Sequence, residues 1–265
     1  MLRPRFVFLV ALLALAAPPL FPQDGPKPAV KRDAQAVEIL TRTVNAAGGL
    51  RSLSAVRDIT ESGEITFYWG EGVKGPVVIR SLGGSHFRID ADLPQGKSTW
   101  LLRDGDGTRK EAGNEHRISA ENALNLGNLT FPLAHIAAAL TDIATDVSFV
   151  GIEKRNGRSV YRLRLKGQLG LTSKRWALSI VKDLLIDALT FDIVGVGDHP
   201  YPTYDRGGKP SDIAPREIDF SDFRVVSGVR VPFSISTKLQ GQRTMSILIT
   251  RVTFNTNLSD EDFRR

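Results

Sequence analysis

The pattern of hydrophobic and polar positions divides the chain into one amphipathic helix followed by a long series of strands. Between residues 30 and 47, apolar side chains recur at steps of three and four residues, on one side of a helix that Gly48-Gly49 can end. The side chains of this stripe are Val30, Ala34, Val37, Leu40, Val44 and Ala47. Since nearly everything after Asp58 alternates with a period of two, the helix is predicted to bury its stripe against a sheet.

Alternation with a period of two is clearest in two early segments, Asp58–Trp69 and His86–Leu93. Further along, Asn156-Gly157 predicts a hairpin turn, and a second hairpin is predicted about Lys182-Asp183. Three more strands, separated by short turns that contain glycine, end the chain. With about ten to twelve antiparallel strands, the sheet must curl into a barrel or partial barrel. The predicted fold class is mainly β, with a few helices (α+β).

Two segments interrupt the strands. Pro132–Ile143 starts with proline and is rich in Ala and Leu, so it is predicted to be a second helix, apolar on most sides. Asp198–Asp212 is a polar loop rich in Pro, Gly and Tyr, and loops of that length are usually functional or disordered. Apart from this loop insertion, residues 30–265 are predicted to form a single domain.

Residues 1–23 have the organisation of a secretory signal peptide. Arg3 and Arg5 precede the apolar run Phe6–Ala17, which is short for a membrane span. Residues 24–29 then form a flexible leader. The segment predicts export to the periplasm, and the alternative interpretation is an uncleaved N-terminal anchor.

The charge and the cysteine content exclude several classes of partner and of chemistry. The formal charge is +6, and loss of Arg3 and Arg5 with the signal would leave +4, without any dense stripe of Lys and Arg. This balance argues against nucleic acid as a partner. The chain has no cysteine, which excludes disulfides, thiol catalysis, thiolate metal sites and a lipid-modified N-terminal cysteine.

No residue pattern indicates catalysis or a metal. The four histidines are scattered without metal-binding spacing. They are His86, His116, His135 and His199. Ser85 and His86 are neighbours on a strand and point to opposite faces, so they cannot form a nucleophile–base pair. We therefore predict no enzyme, no catalytic residue, no metal and no cofactor; the remaining enzymatic hypothesis would place His199 beside Asp198 or Asp205.

The positive signal is a set of large apolar side chains that face inward from the strands and from the helix. A curled sheet of this size has a concave face that one helix cannot easily fill, and barrels of similar strand number can enclose a ligand. The residues predicted to line such an apolar ligand cavity are Val37, Leu40, Val44, Phe67, Trp69, Phe87, Trp100, Leu163, Trp176, Leu178, Phe191 and Phe233. The alternative is that the same side chains fill a solid core.

Several stretches together indicate a family. The helix ends in AAGG (Ala46–Gly49) and is followed by LRSLSAVRDITESGEITF, which leads into the sheet. Near the end of the chain, SGVRVPFSI (Ser227–Ile235) precedes ITRVTFNTNLSDEDF (Ile249–Phe263). These stretches resemble the periplasmic lipoprotein-carrier superfamily, which includes the carrier LolA and the outer-membrane receptor LolB. The resemblance covers most of the chain after Val30.

The resemblance implies an unclosed β-barrel whose concave side is plugged by helices, here Val30–Ala47 and Pro132–Ile143, with acyl chains bound beneath them. This chain departs from the carrier in three ways. It is longer, it inserts Asp198–Asp212, and it offers no clear counterpart of the strand arginine with which the carrier contacts its lid. The absence of cysteine also excludes a lipid-anchored receptor of the LolB kind.

We therefore expect a periplasmic, non-enzymatic protein that binds a lipid or the acyl chains of a lipoprotein and transports it in outer-membrane lipoprotein sorting. Its partners would be acyl chains and a protein at the inner or outer membrane. The alternative is a periplasmic sensor or scaffold with a solid core that binds a protein partner through the 198–212 loop.

Overall fold

The computed structural model describes residues 30–68, 70, 72–103, 106–111, 113–118, 126–129, 133–169, 178–198 and 215–264. The predicted signal peptide and leader, Trp69, Trp176 and residues 199–212 of the predicted loop lie outside these residues. Leu178 begins a strand, but its side chain lies outside what the structure describes.

Within the described residues, thirteen antiparallel strands form one sheet. The strands are β1 (Asp58–Phe67), β2 (Val73–Leu82), β3 (His86–Leu93), β4 (Gly96–Arg103), β5 (Asp106–Glu111), β6 (Asn114–Ile118), β7 (Asp146–Arg155), β8 (Arg158–Leu169), β9 (Leu178–Asp187), β10 (Ile193–Asp198), β11 (Arg216–Val226), β12 (Val229–Leu239) and β13 (Gln242–Phe254).

The sheet consists of two meanders joined by a long-range pair. Strands β1 to β6 follow one another in space, as do β7 to β13, and β1 pairs with β13 in the middle of the sheet. The two edges are therefore β6 and β7, and the curled sheet is not closed into a barrel. The edge of β7 is partly covered, because the amide of Val147 donates to the carbonyl of Lys31 at 2.9 Å and the amide of Asp33 donates back to Val147. The predicted mainly β, unclosed architecture is confirmed.

In the described part of the chain, three helices lie against the concave face of this sheet, with the bounds α1 (Ala34–Ala46), α2 (Gly49–Ser54) and α3 (Leu133–Thr141). Short 3-10 turns occur at Leu126–Leu129 and Asp260–Phe263. The buried apolar residues of α1 and α2 belong to the same cluster as the inward side chains of the sheet. None of the described helices combines the length and apolarity that crossing a bilayer requires.

Helix α1 begins later than predicted, and the predicted stripe is buried only in its second half, at Leu40, Val44 and Ala47. The carboxylate of Asp33 accepts from the amides of Gln35 (2.9 Å) and Ala36 (3.4 Å), so Asp33 is the N-cap and Val30 lies outside the helix, 46% exposed. Ala34, predicted to be inward, is exposed. The buried residues of α1 are Ala36, Ile39, Leu40, Thr43 and Val44.

Glycine at position 48 is required by close backbone contact. Gly48 has φ +120°, and a Cβ there would lie 2.2 Å from the carbonyl oxygen of Gly228 in the β11–β12 turn. In the same region the amide of Arg230 donates to the carbonyl of Ala47 at 3.0 Å. The junction between α1 and α2 is thereby held against the sheet.

Two local predictions are wrong. Lys182-Asp183 is not a turn but lies in the middle of β9, and Asp198, predicted to begin the polar loop, is the last residue of β10. The strand continues through Lys182-Asp183 because both charged side chains have ionic neighbours on the sheet. Asp183 accepts from Arg162 and Arg164 on one face, while Lys182 is buried on the other. The edge strand β6 was not predicted at all.

Candidate ligand-binding site

A cavity of about 260 Å³ lies at the end of the sheet where β1 and β12 finish and β11 and β13 begin. Its described lining is apolar except for two arginines and two threonines. The lining residues are Phe67, Ile89, Trp100, Arg109, Leu129, Arg216, Thr237, Leu239, Thr244 and Met245. The volume is near the lower limit of the roughly 300–1,000 Å³ that is typical of drug-sized ligands.

Strand register brings the walls of the cavity together. Phe67 is paired with Met245, and Met245 with Thr237, so these side chains lie side by side on β1, β13 and β12. In the other part of the sheet, Trp100 is paired with Ile89 and lies across from Arg109. The curl of the sheet then places the rings of Phe67 and Trp100 5.7 Å apart. Residues distant in sequence therefore form one aromatic wall.

A buried row of charges borders the cavity on β9, β10 and β11. Arg216 donates from Nε and Nη2 to both carboxylate oxygens of Asp198, at 2.8 and 2.6 Å. Lys182 is 6% exposed and Asp198 only 1% exposed. Burial lowers the pKa of Lys182 to about 8; Asp198 opposes this shift and Arg216 adds to it. Lys182 is thus mainly protonated at neutral pH.

Arg109 supplies a second guanidinium at the cavity. Its Cζ lies 5.1 Å from the centre of the Trp100 ring, within the range of a cation–π interaction. Its Nη2 is 2.9 Å from a carboxylate oxygen of Glu111 on the same strand. The guanidinium of Arg109 therefore lies over the ring of Trp100, and its ion pair with Glu111 holds it there.

The structure brings together two of the predicted ligand residues at the cavity, Phe67 and Trp100. Several others lie elsewhere in the apolar cluster, namely Leu40, Val44, Phe87, Leu163 and Phe233. Val37 is partly buried on α1, and Phe191 lies in the β9–β10 turn beneath the guanidinium of Arg42, 5.4 Å away. As ligand contacts, all twelve residues stay predictions.

The sequence interpretation missed the charged residues of the site. Lys182 was assigned to a turn and Asp198 to a loop, and neither Arg109 nor Arg216 was considered. A usable signal was present in Leu178–Asp187, where the apolar residues around Lys182-Asp183 continue on both sides without a glycine or proline to end the strand.

Arg32 fixes the end of the second predicted helix. Its guanidinium donates to the carbonyl oxygens of Leu140 (3.0 Å), Asp142 (2.9 Å) and Thr145 (3.1 Å), and also to that of Ala139. Carbonyl groups at a helix C-terminus have no partner within the helix and carry partial negative charge, which a guanidinium satisfies. Arg32, which precedes α1, thus holds the C-terminal end of α3.

A carboxyl group is also buried on the concave face. Glu61 on β1 lies between Ile79 of β2 and Val252 of β13, and is 5% exposed. Burial without a compensating charge raises the pKa of Glu61 to about 7. The sequence interpretation passed over this residue, although its position in the alternation of β1 is an inward one.

No protein-family model matches the sequence, and no curated protein matches it significantly. Solved structures do match. A LolA superfamily protein from Nitrosomonas europaea is 13% identical, with 87% of this chain and 97% of that chain covered and a TM-score of 0.54. The chain has the LolA-like fold. A structure described as an outer membrane lipoprotein-sorting protein domain from Vibrio parahaemolyticus gives a TM-score of 0.52 at 13% identity, over 86% of this chain and 96% of that one.

The LolA-like fold agrees with the resemblance found in the sequence. Both indicate a curled antiparallel sheet left open along one side, with helices against its concave face. At this level of identity the likeness establishes the fold alone, so the role of the cavity must be argued from the residues of this chain.

Proposed function

We propose that this protein binds an acyl chain of a lipid or lipoprotein in the cavity of about 260 Å³, as a carrier that catalyses no reaction. The observation that carries the proposal is the cavity itself, walled by Phe67, Trp100 and Met245 at one end of a LolA-like sheet. Each methylene group removed from water contributes roughly 0.8 kcal/mol. The modest volume favours a single chain over a lipid with several chains bound together.

The carrier would act outside the cytoplasm. The signal-like sequence of residues 1–23 supports export, and one structure of the same fold is described as an outer membrane lipoprotein-sorting domain. Recovery of the full-length gene product in the osmotic-shock fraction of a Gram-negative host checks this inference. Retention in the cytoplasm would contradict it.

Native mass spectrometry of protein purified from a membrane-containing lysate tests acyl-chain binding. We expect a co-purified mass that matches a lipid or acylated species. Thr237→Phe should remove most of it, because the added ring fills the cavity that Thr237 lines. Ser236→Phe is the matched control, since the neighbouring side chain on β12 points to the other face of the sheet. Protein that is empty in both variants and in the wild type would contradict the proposal.

The second candidate function is a sensor or scaffold that binds a protein partner through the 198–212 loop. Dense packing elsewhere on the concave face favours it, since side chains such as Leu163, Leu184 and Ile218 are fully buried. Both flanks of the loop, Asp198 and Arg216, are paired across β10 and β11 at the cavity end of the sheet. Loss of a partner on deletion of residues 200–211, with an unchanged melting temperature, would support this role.

A further inference from the structure

A buried hydroxyl group in the cavity wall indicates where the polar end of a ligand lies. Thr237 is only 5% exposed, and it lines the cavity. Its hydroxyl oxygen is buried and has no hydrogen-bond partner within the described part of the chain. Buried hydroxyl groups are nearly always hydrogen-bonded, so this one calls for a partner. We propose that the carbonyl oxygen of an acyl ester or acyl amide accepts the proton of Thr237. This inference rests on the proposed acyl-chain binding and specifies the linkage and orientation of the chain.

The other threonine of the lining differs from Thr237 in this respect. Thr244 also lines the cavity, but its hydroxyl donates to the backbone carbonyl of Thr237 at 3.3 Å. The described lining contains no carboxylate and no side-chain amide that could accept a hydrogen bond from a ligand. A ligand oxygen that accepts a hydrogen bond therefore suits this wall better than a ligand group that donates one.

Strand register gives the direction of the chain. Thr237 on β12 is paired with Met245 on β13, which is paired with Phe67 on β1. Adjacent strands lie about 4.8 Å apart, so this part of the wall extends roughly 10 Å from Thr237. A chain whose carbonyl lies at Thr237 can thus pass over Met245 and Phe67 to the ring of Trp100. In the other direction, Leu239 follows on the same face of β12, lines the cavity and is 37% exposed. The head group of the ligand therefore leaves the cavity beside Leu239.

The hydroxyl of Thr237 would make the site distinguish an acyl chain from a plain alkyl chain. An alkyl chain in the cavity excludes water and leaves the hydroxyl without a partner, which costs free energy. A carbonyl group at the same position replaces the excluded water as acceptor. The site should therefore prefer chains that are attached through an ester or an amide over chains that are attached through an ether.

The test compares three uncharged ligands that share the same chain length and nearly the same head group, added below their micellar concentrations to the full-length protein. The ligand 1-decanoylglycerol carries the ester, N-decanoyl-3-amino-1,2-propanediol carries the amide, and 1-O-decylglycerol is the ether without a carbonyl. Binding is measured by isothermal titration calorimetry. We expect the better carbonyl ligand to bind about threefold to tenfold more tightly than the ether, which is the effect of one neutral hydrogen bond. The tighter of the two carbonyl ligands identifies the linkage as ester or amide.

Substitutions at Thr237 locate the carbonyl. Thr237→Val keeps the shape of the side chain and should reduce the preference for the carbonyl ligand to near unity, without weakening the ether more than about twofold. Thr237→Ser keeps the hydroxyl and should retain the preference. Ser98→Ala is the control, because it removes another buried hydroxyl without a described partner, on β4 and outside the described cavity lining. If Thr237→Val fails to fold, Thr237→Ala makes the same measurement.

The outcomes separate this inference from the proposed function. Equal binding of the ether, the ester and the amide overturns the carbonyl site and leaves acyl-chain binding intact. A carbonyl preference that persists without the hydroxyl of Thr237, or that Ser98→Ala also abolishes, overturns it as well. Failure of all three ligands to bind contradicts both the proposed function and this inference.

Discussion

At the scale of single residues, the buried carboxyl group of Glu61 makes the stability of the protein depend on pH. Its pKa is about 7 in the folded protein, against 4.5 for an exposed glutamate. Between pH 4.5 and pH 7, Glu61 therefore keeps its proton in the folded state and loses it in the unfolded state. Linkage then lowers the free energy of unfolding by about 3 kcal/mol between pH 4.5 and pH 7.

Glu61→Gln should remove this loss. The amide keeps the shape of the protonated acid and does not ionise, so the variant should be more stable than wild type at pH 8 and similar to it at pH 4. Urea unfolding at the two pH values measures the difference. Glu64→Gln, on the opposite face of the same strand, is the control and should leave the pH profile unchanged. An identical profile for Glu61→Gln and wild type would show that Glu61 is ionised in the folded protein.

Single charged residues were also where sequence interpretation failed. Lys182, Asp198 and Arg216 meet only because β9, β10 and β11 are neighbours, and each alone is typical of a surface or turn residue. By contrast, Phe67 and Trp100 could be placed inward from alternation alone. Alternation decides the face of a strand; it does not decide which strands lie together or where the interior stays open.

At the scale of elements, α3 depends on a residue far away in the sequence. The guanidinium of Arg32 donates to four carbonyl groups at and beyond the C-terminal end of α3. Ile136 and Ala139 of this helix are buried. The helix is only 9 residues long, too short to be stable in isolation. Its position over the concave face therefore requires these contacts.

Arg32→Gln should loosen α3 before it affects the sheet. We expect faster amide hydrogen exchange across residues 133–141 and a loss of about 1–3 kcal/mol in stability, since several charge-assisted hydrogen bonds are removed. Arg42→Gln is the matched control, because Arg42 is exposed on α1 and pairs with Glu38. Exchange rates in α3 that are the same in both variants would show that Arg32 does not hold the helix.

The junction between α1 and α2 offers a second test with a neighbouring control. Gly49→Ala places a methyl group at φ +82° in open space and should cost about 1–2 kcal/mol. Gly48→Ala adds a contact of 2.2 Å with the Gly228 carbonyl and should cost clearly more, because the junction must move away from the β11–β12 turn. Thermal unfolding of the two variants compares them. Equal losses of stability in the two variants would mean that the β11–β12 turn can move aside at no cost in free energy.

The types of the secondary-structure elements were largely predictable from the sequence, but their bounds and buried faces were less so. The helix before the sheet, the Asn156-Gly157 turn and the helix after Pro132 were correctly expected. The buried stripe of α1 was predicted wrongly only at its start, because Val30 and Ala34 fit the periodicity although the helix is capped at Asp33. Strand β6 is short and exposed up to its last residue, the partly buried Ile118, so it has no alternation that could reveal it.

At the scale of the whole molecule, the count of strands predicts a curled sheet, but it does not predict which strands meet in the middle of that sheet. The pairing of β1 with β13 joins opposite ends of the chain, and hydrophobic periodicity contains no information on it. The volume of the cavity was likewise beyond the sequence, because it depends on how Leu129, Trp100 and Thr237 pack from three separate regions. The sequence could not decide between the two competing hypotheses, a lipid site or a solid core, whereas the structure shows a modest cavity at one end of the sheet.

The central claim is that an acyl chain lies against Trp100 in this cavity, and contact quenching of its fluorescence tests that claim most directly. A variant with Trp69→Phe and Trp176→Phe keeps Trp100 as its single tryptophan. A fatty acid brominated along its chain should quench the emission of this variant in a saturable manner. The unbrominated acid should not, and Thr237→Phe should abolish the effect. Emission that stays unchanged at saturating brominated chain would contradict the account.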